Sequence, residues 1–284
     1  MVFQKKVVKR DKAEEIFSRE KLCKSLIKIG ADEHISRYVC TLIDQSIESE
    51  VSTDEIFKKT RDFLYRIDPD LSALYSLERG LSSLGPSGFV FEQYVGAIFV
   101  EMGYKVKTNV YMKGEGVEHE IDVYAQKGNV IFLTEAKYKN DFKLKTHIDH
   151  VMYADARLQD IRRRAERDGD AREYYMWIIT NTKFTDNAIH YAEHRDIQLL
   201  GWDYPPYINL MKLVSEKKLY PVTILPSITK SVLKKLSHMN LILVKYLTSF
   251  TVDDFMKKFG TSHRLAKRLV SEVDALMERD LIRQ

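Results

Sequence analysis

The stretch EHEIDVYAQKGNVIFLTEAKYKN, from Glu118 to Asn140, constrains this chain more than any other. Two runs rich in β-branched and aromatic residues flank Gly128-Asn129, a pair suited to a two-residue hairpin turn. With that turn, facing residue numbers sum to a constant, so Lys127 faces Val130 and Asp122 faces Glu135. Facing Cβ atoms in such a pair stand about 4.5–5.5 Å apart. Two carboxylates that close repel each other, and burial adds to the cost. Side chains alternate along a strand, so Lys137 shares a face with Glu135, Leu133 and Ile131. The other face carries Val130, Phe132, Thr134 and Ala136. The second strand is therefore apolar on both sides until its end, where it becomes charged.

A divalent cation removes the conflict, because carboxylate oxygens are the donors that Mg²⁺ or Mn²⁺ prefers. Hydrolysis of a phosphodiester needs such a cation to offset charge on the phosphorane, and a water made nucleophilic at neutral pH. Asp122 and Glu135 can hold the cation, and Lys137 can position the water or stabilise the pentavalent state. The plainer reading competes with this one: both carboxylates are solvated edge residues and Lys137 merely pairs with them.

With 284 residues the chain has room for two or three domains, and 44% apolar residues are enough for folded cores. A net charge of +4 is too small to indicate a nucleic-acid partner by itself. Cys23 and Cys40 have no metal-type spacing and imply no disulfide framework, so they are expected as buried thiols in a reducing compartment. No apolar run approaches the roughly 20 residues of a membrane span. The start, MVFQKKVVKRDK, lacks the apolar core of a signal peptide. The expected location is the cytoplasm, with no membrane partner.

Three segments follow, at 1–82, 89–206 and 207–284. In the first, a strand near Lys6–Lys9 precedes a helix from Arg19, capped by Ser18 and stopped by Gly30. Thr53 is expected to cap a second helix that ends at Asp68-Pro69, and Leu71–Leu81 reads as helical again. SSLGPSG, at 82–88, is a linker. In the second segment, a helix with Phe91, Val95, Ile98, Phe99 and Met102 on one stripe leads into strands at 104–110, 119–125 and 130–137. A long helix over 148–167, a strand over 174–180, a helix over 187–194 and a last strand in IQLLGW complete an α/β domain. The third segment is helical.

Asp122 followed by Glu135-Ala136-Lys137 at a hairpin end resembles the core of the restriction-endonuclease-like nucleases. The surrounding sequence is similar to their Mrr-type branch. SGFVFEQYVGAIFVEMGYKV resembles that family's opening helix, and WIITNTKFTDNAIHYAEHRDIQLLGWD its closing strand–helix–strand. The resemblance implies a mixed sheet flanked by helices and a Mg²⁺- or Mn²⁺-dependent deoxyribonuclease, with Asp122, Glu135 and Lys137 catalytic and Glu92 an outer metal ligand. By itself Glu92 reads as surface charge on an amphipathic helix. The family strand more often reads Q-A-K, and this chain has Glu135. Gln159 stands in the long helix where some relatives carry a polar active-site residue.

VVKRDKAEEIFSREKL and VSTDEIFKKT resemble the ATP-cone, a mostly helical regulatory nucleotide-binding domain. The resemblance implies ATP or dATP as ligand. It places Lys9 and Arg10 on a β-hairpin lid, Lys21 on the first helix and Thr53 at the second, with Glu15 making contacts away from the phosphates. Three cations around one strand and one helix suit a triphosphate. The family's Gly after K-R-D is Lys12 here. An ordinary basic surface is the competing reading.

DDFMKKFGTSHRLAKRLVSEVDAL sets a Gly-centred turn between two amphipathic helices and resembles a helix–hairpin–helix DNA-binding module. Lys257, Lys258, His263, Arg264, Lys267 and Arg268 cluster there, with Leu265, Leu269 and Val273 inward. A helical hairpin that only packs on the nuclease domain or on a second copy is the alternative. The combined expectation is a nucleotide-responsive DNA nuclease, endonucleolytic in mode and compatible with a homodimer. The alternative is a nucleotide-sensing DNA-binding protein whose nuclease fold is not catalytic.

Overall fold

The computed structural model describes residues 5–9, 12–85 and 88–277. Arg10 therefore lies outside the described residues, as do part of the expected linker and the chain after Met277. The described chain divides into two compact units, one up to residue 77 and one from 78 to 277.

The first unit holds a three-stranded sheet in the order β2-β1-β3, made of β1 (Lys6–Val8), β2 (Glu14–Ile16) and β3 (Glu50–Ser52). Its helices are α1 (Arg19–Lys28), α2 (Glu33–Ser46), α3 (Thr53–Ile67) and the start of α4 (Pro69–Ser82). Ser18 caps α1 by accepting from the Lys21 amide at 3.2 Å, and Gly30 at φ +95° stops it. Helix α2, capped by Asp32, is an element that the sequence reading does not contain. The cap of α3 is Ser52, whose hydroxyl accepts from the Glu55 amide at 3.1 Å, which displaces Thr53 to the first helical position. Either hydroxyl suits a cap, and β3 ends where Ser52 is still extended.

Lys12 turns the β1–β2 hairpin at φ +67°, in the left-handed region where the resembled family uses Gly. The core is Val7, Leu22, Leu26, Val39, Ile43, Val51 and Leu64. Cys23 and Cys40 correct the expectation of free thiols. The neighbouring helices α1 and α2 bring their Cα atoms to 5.9 Å and the sulfurs are joined as a disulfide, a spacing the linear sequence does not reveal.

The second unit is built on a five-stranded mixed sheet in the order β10-β8-β6-β5-β4. These strands are β4 (Lys105–Lys113), β5 (Glu118–Lys127), β6 (Val130–Lys137), β8 (Glu173–Thr180) and β10 (Gln198–Leu200). The β4-β5-β6 meander is antiparallel, and β8 and β10 add parallel to it. Two short strands, β7 (Lys145–Thr146) and β9 (Lys183–Phe184), pair with each other. Helices α6 (Ile148–Arg167) and α7 (Asp186–His194) cover one face, where Leu133, Ile131, Met176 and Ile178 pack against Val151, Leu158 and Ala188. Helix α5 (Phe89–Glu101) serves the other face, with Phe99 against Phe132 and Trp177.

The C-terminal segment packs on α5. The buried Gln93 side chain donates to the Ser237 carbonyl at 3.0 Å, and the Tyr94 hydroxyl donates to the Leu219 carbonyl at 3.0 Å. This explains why α5 is buried nearly all round rather than along one stripe. The segment contains α8 (Leu210–Glu216), α9 (Lys230–His238), α10 (Val252–Phe259) and α11 (His263–Met277). Among the described residues, no helix is long and apolar enough to cross a membrane.

Candidate active site at the β5–β6 fork

The β5–β6 hairpin keeps the register expected from the turn, from Lys127↔Val130 to Val123↔Thr134, with Gly128 at φ +61°. Beyond Thr134 the two strands part, although β6 stays paired with β8 as far as Lys137↔Thr180. At the opening, the Ala136 amide donates to a carboxylate oxygen of Asp122 at 2.8 Å instead of continuing the ladder. The other neighbour of β5 is disturbed at the same level. Asn109 of β4, between the pairs Thr108↔Val123 and Val110↔Ile121, adopts φ +51°. Asn tolerates that conformation better than most residues, and such strain often marks a functional site.

Glu135 is buried, 9% exposed, at the end of the face covered by α6. One carboxylate oxygen accepts from Lys137 Nζ and the other from Arg157 Nη1 of α6. Burial alone would raise this carboxyl, but Lys137 first and then Arg157 outweigh it and hold it below the ordinary range. Among the described residues, Asp122 has no such ion pair. Burial, reinforced by the charge of Glu135, pushes its carboxyl up to about 7. Glu92 of α5 feels both Asp122 and Glu135. Burial raises its carboxyl, the Asn109 amide opposes the rise, and the charges of Glu120 and Glu135 add to it. His150, in the first turn of α6, is lowered by burial, with the cations of Lys137 and Lys139 contributing.

The fold therefore brings Glu92, Asp122, Glu135 and Lys137 together. Sequence reasoning missed Arg157, Glu120 and Asn109. The polar residue expected from α6 is Gln159, but that side chain donates to Asp155 at 3.2 Å, in a cluster with Tyr191 and Arg195 away from the fork. Arg157 lies two residues earlier and points elsewhere. The 3.6-residue helical period could have separated the two positions, had the α6 face toward Glu135 been known.

Asp122 and Glu135 are the two carboxylates of the fork that could hold a cation, and among the described residues no group of three or more His, Cys, Asp or Glu side chains could hold one. Two suffice for Mg²⁺, which keeps several waters and completes its shell with substrate phosphate oxygens. The raised Asp122 carboxyl beside an ionised Glu135 is the kind of pair that a divalent charge stabilises.

The other expected groups fall elsewhere. In the first unit, Lys9 and Lys21 converge on Glu15, at 2.8 and 3.7 Å, and all three are at least partly exposed. Glu15 thus sits between the two lysines, because β2 lies antiparallel beside β1 and leads directly toward α1. Thr53 opens α3. In the C-terminal segment, Gly260 at φ +66° turns α10 into α11, and Ser262 caps α11 through the Leu265 amide at 3.3 Å. Arg264, Lys267 and Arg268 are exposed, and Lys257 pairs loosely with Asp253 at 3.7 Å. Lys258 lies 4.7 Å from the Phe250 ring centre.

Residues 85–204 match the Mrr_cat family, described as restriction endonuclease, and residues 220–277 match the family described as AF1548-like, C-terminal. An uncharacterized protein of Archaeoglobus fulgidus is 35% identical over 172 residues, which cover 61% of this chain and 93% of that one. The crystal structure of a protein of unknown function, AF1548, superposes with a TM-score of 0.56 at 32% identity, covering 67% of this chain and 98% of that one. The MspJI restriction endonuclease, solved with a 27-mer oligonucleotide, reaches a TM-score of only 0.37 at 15% identity, over 70% of this chain and 39% of that one.

Proposed function

The chain belongs to the AF1548 family, with a restriction-endonuclease domain over residues 85–204, and from that premise we propose that it is a cation-dependent DNA nuclease. The observation that carries this reading is the parted hairpin end, where the buried Asp122, accepting from the Ala136 amide with its carboxyl pushed up to about 7, stands near Glu135, held below its ordinary range, beside Lys137. Bound Mg²⁺ or Mn²⁺ supplies Lewis-acid polarisation of the scissile phosphate and a nucleophilic water. Asp122 and Glu135 would hold the cation, and Glu92, on α5, would be an outer ligand. Lys137, on the same strand face as Glu135, orients the attacking water and offsets charge on the pentavalent phosphorus.

The rest of the chain serves this chemistry. The first unit acts as an ATP-cone: Lys9, Arg10 and Lys21 receive the phosphates of ATP or dATP, and Thr53 lies at the second nucleotide-facing helix. The Gly260 turn and the exposed Arg264, Lys267 and Arg268, with Lys257, form a helix–hairpin–helix surface for DNA phosphate. The cytoplasm is the compartment that suits such a protein.

The test is incubation of plasmid, linear duplex and branched DNA with purified protein and Mg²⁺ or Mn²⁺, with and without ATP. Cleavage that disappears in EDTA and in Asp122→Ala supports the reading. Tight DNA binding with no cleavage of any substrate replaces it with a nucleotide-sensing DNA-binding protein on a non-catalytic nuclease fold.

A further inference from the structure

Arg157 brings positive charge to the fork from outside the hairpin and α5. Among the described residues, its hydrogen-bond and ion-pair partner is Glu135. Glu135 has both oxygens engaged, one by Lys137 and one by Arg157. A cation that binds Glu135 must take one of those oxygens. Lys137 is fixed two residues away on β6, a strand locked to β8 up to that residue. Arg157 reaches in from α6, and its side chain, like that of Lys137, is about a quarter exposed. Lys137 shares the strand with Glu135 and so stays beside it when a cation binds, whereas Arg157 comes from a separate element and is the partner taken to leave. Its guanidinium is always charged, and its planar fork of N–H donors matches phosphate oxygens. A phosphate that completes the cation's shell arrives next to the position Arg157 gives up.

We propose that Arg157 is a displaceable counter-charge: it neutralises Glu135 before the cation binds, and the bound cation releases it to clamp the scissile phosphate. This rests on the cation-dependent nuclease reading above. It accounts for a site with two carboxylates and two cationic side chains that nevertheless keeps Asp122 outside those ion pairs. Protein cations satisfy only the half of the site nearest α6. The divalent ion completes the other half and frees one of them.

Two measurable quantities should then move in opposite directions. Removing Arg157 removes a competitor for Glu135, so the cation binds more tightly. It also removes a phosphate ligand, so cleavage at saturating cation falls. A purely structural Arg157 would weaken both, through a disordered Glu135.

The experiment is calorimetric titration of Mn²⁺ into the intact protein at pH 8 without DNA, for wild type, Arg157→Ala, Arg157→Gln and Asp122→Ala. Single-turnover cleavage at saturating Mn²⁺ follows for each. We expect Mn²⁺ to bind Arg157→Ala about tenfold more tightly than wild type, the scale of one charge-assisted hydrogen bond removed from competition. Cleavage should fall about 10²-fold. Arg157→Gln, which keeps a donor without the charge, should lie between and also serves if the alanine variant folds poorly. Equal or weaker Mn²⁺ binding in folded Arg157 variants, with wild type binding normally, overturns the counter-charge role and leaves the nuclease reading intact. No Mn²⁺ binding by wild type or by any Arg157 variant overturns both. Binding by the Arg157 variants but not by wild type supports the proposal in its strongest form.

Discussion

The fork between β5 and β6 and the Glu15 cluster of the first unit both gather charge, but they balance it differently. At Glu15, one carboxylate meets Lys9 and Lys21 in the open, and water solvates the single positive charge left over. At the fork, Lys137 and Arg157 both engage Glu135, and burial, reinforced by the charge of Glu135, pushes Asp122 up to about 7. Exposed opposite charges are cheap and contribute little, whereas buried like charges persist only where the fold forces them together or a ligand resolves them. The difference separates a surface ion pair from a site under electrostatic stress.

The largest expected effect tests the stressed side directly. Asp122→Ala and Lys137→Ala should each lower cleavage by about 10³-fold or more while leaving the fold, read by circular dichroism, intact. Glu135→Ala should lose cleavage to the same extent and also melt earlier, because it strands Lys137 and Arg157 without a partner. Plasmid nicking and thermal melts decide this. Full cleavage by all three folded variants would remove the fork from the chemistry.

The next effect uses proton linkage. A carboxyl raised in the folded state favours the protonated protein. Its stabilising contribution is complete below the ordinary 3.8 and is lost as pH rises through about 7. Asp122→Asn keeps an oxygen for the Ala136 amide and never ionises. It should therefore melt above wild type at pH 8, by on the order of 1–3 kcal/mol in stability, with the gap closing by pH 4. Cation-dependent cleavage by wild type should run the other way, rising about tenfold per unit below pH 7 and levelling above it. Identical melting curves at pH 8 would show that Asp122 ionises without penalty, and the contrast with Glu15 would disappear.

Sequence alone made the fork legible because it is local. Turn chemistry fixed the register, alternation fixed the faces, and Asp122, Glu135 and Lys137 all lie within one hairpin. Strands β5, β6 and β8 and the long α6 were legible for the same reason, since their patterns persist over eight or more residues. What escaped depended on tertiary packing. Arg157 is chosen by the face α6 turns toward β6, and Gln159 by another one. Asn109 matters because β4 is distorted opposite Asp122. The Cys23–Cys40 bond depends on how α1 and α2 pair, and α2 itself was missed although Gly30 and the capping Asp32 mark its start.

A smaller effect concerns charge that is exposed but not self-balanced. Arg264, Lys267 and Arg268 stand exposed on α11 beside the Gly260 turn and, among the described residues, form no ion pair, unlike Lys9 and Lys21 at Glu15. If they meet DNA phosphate, Arg264→Ala/Lys267→Ala should reduce the slope of log affinity against log salt by about one unit for each phosphate-binding cation removed, whatever the DNA sequence. Fluorescence anisotropy in Ca²⁺ across a salt series measures it. Equal slopes for the variant and the intact protein would leave α10 and α11 as a packing hairpin.

The smallest effect falls on Glu15 itself. An exposed pair contributes little to stability, so Glu15→Gln should leave the melting temperature unchanged between pH 5 and pH 8. Lys9 holds the Glu15 carboxyl below its ordinary range, and any such contribution would fade only at more acid pH. The informative readout is nucleotide binding. If Lys9 and Lys21 receive triphosphate, Glu15 competes with the phosphates for both lysines. Removing its charge should then tighten ATP or dATP about threefold in a calorimetric titration, well below the change expected for Mn²⁺ at Arg157 because solvent already screens the pair. Weaker binding would make Glu15 a positioning group for the lysines. Its cluster would then resemble the fork, where a charge is kept for the ligand it serves, and the difference between the two regions would be one of burial alone.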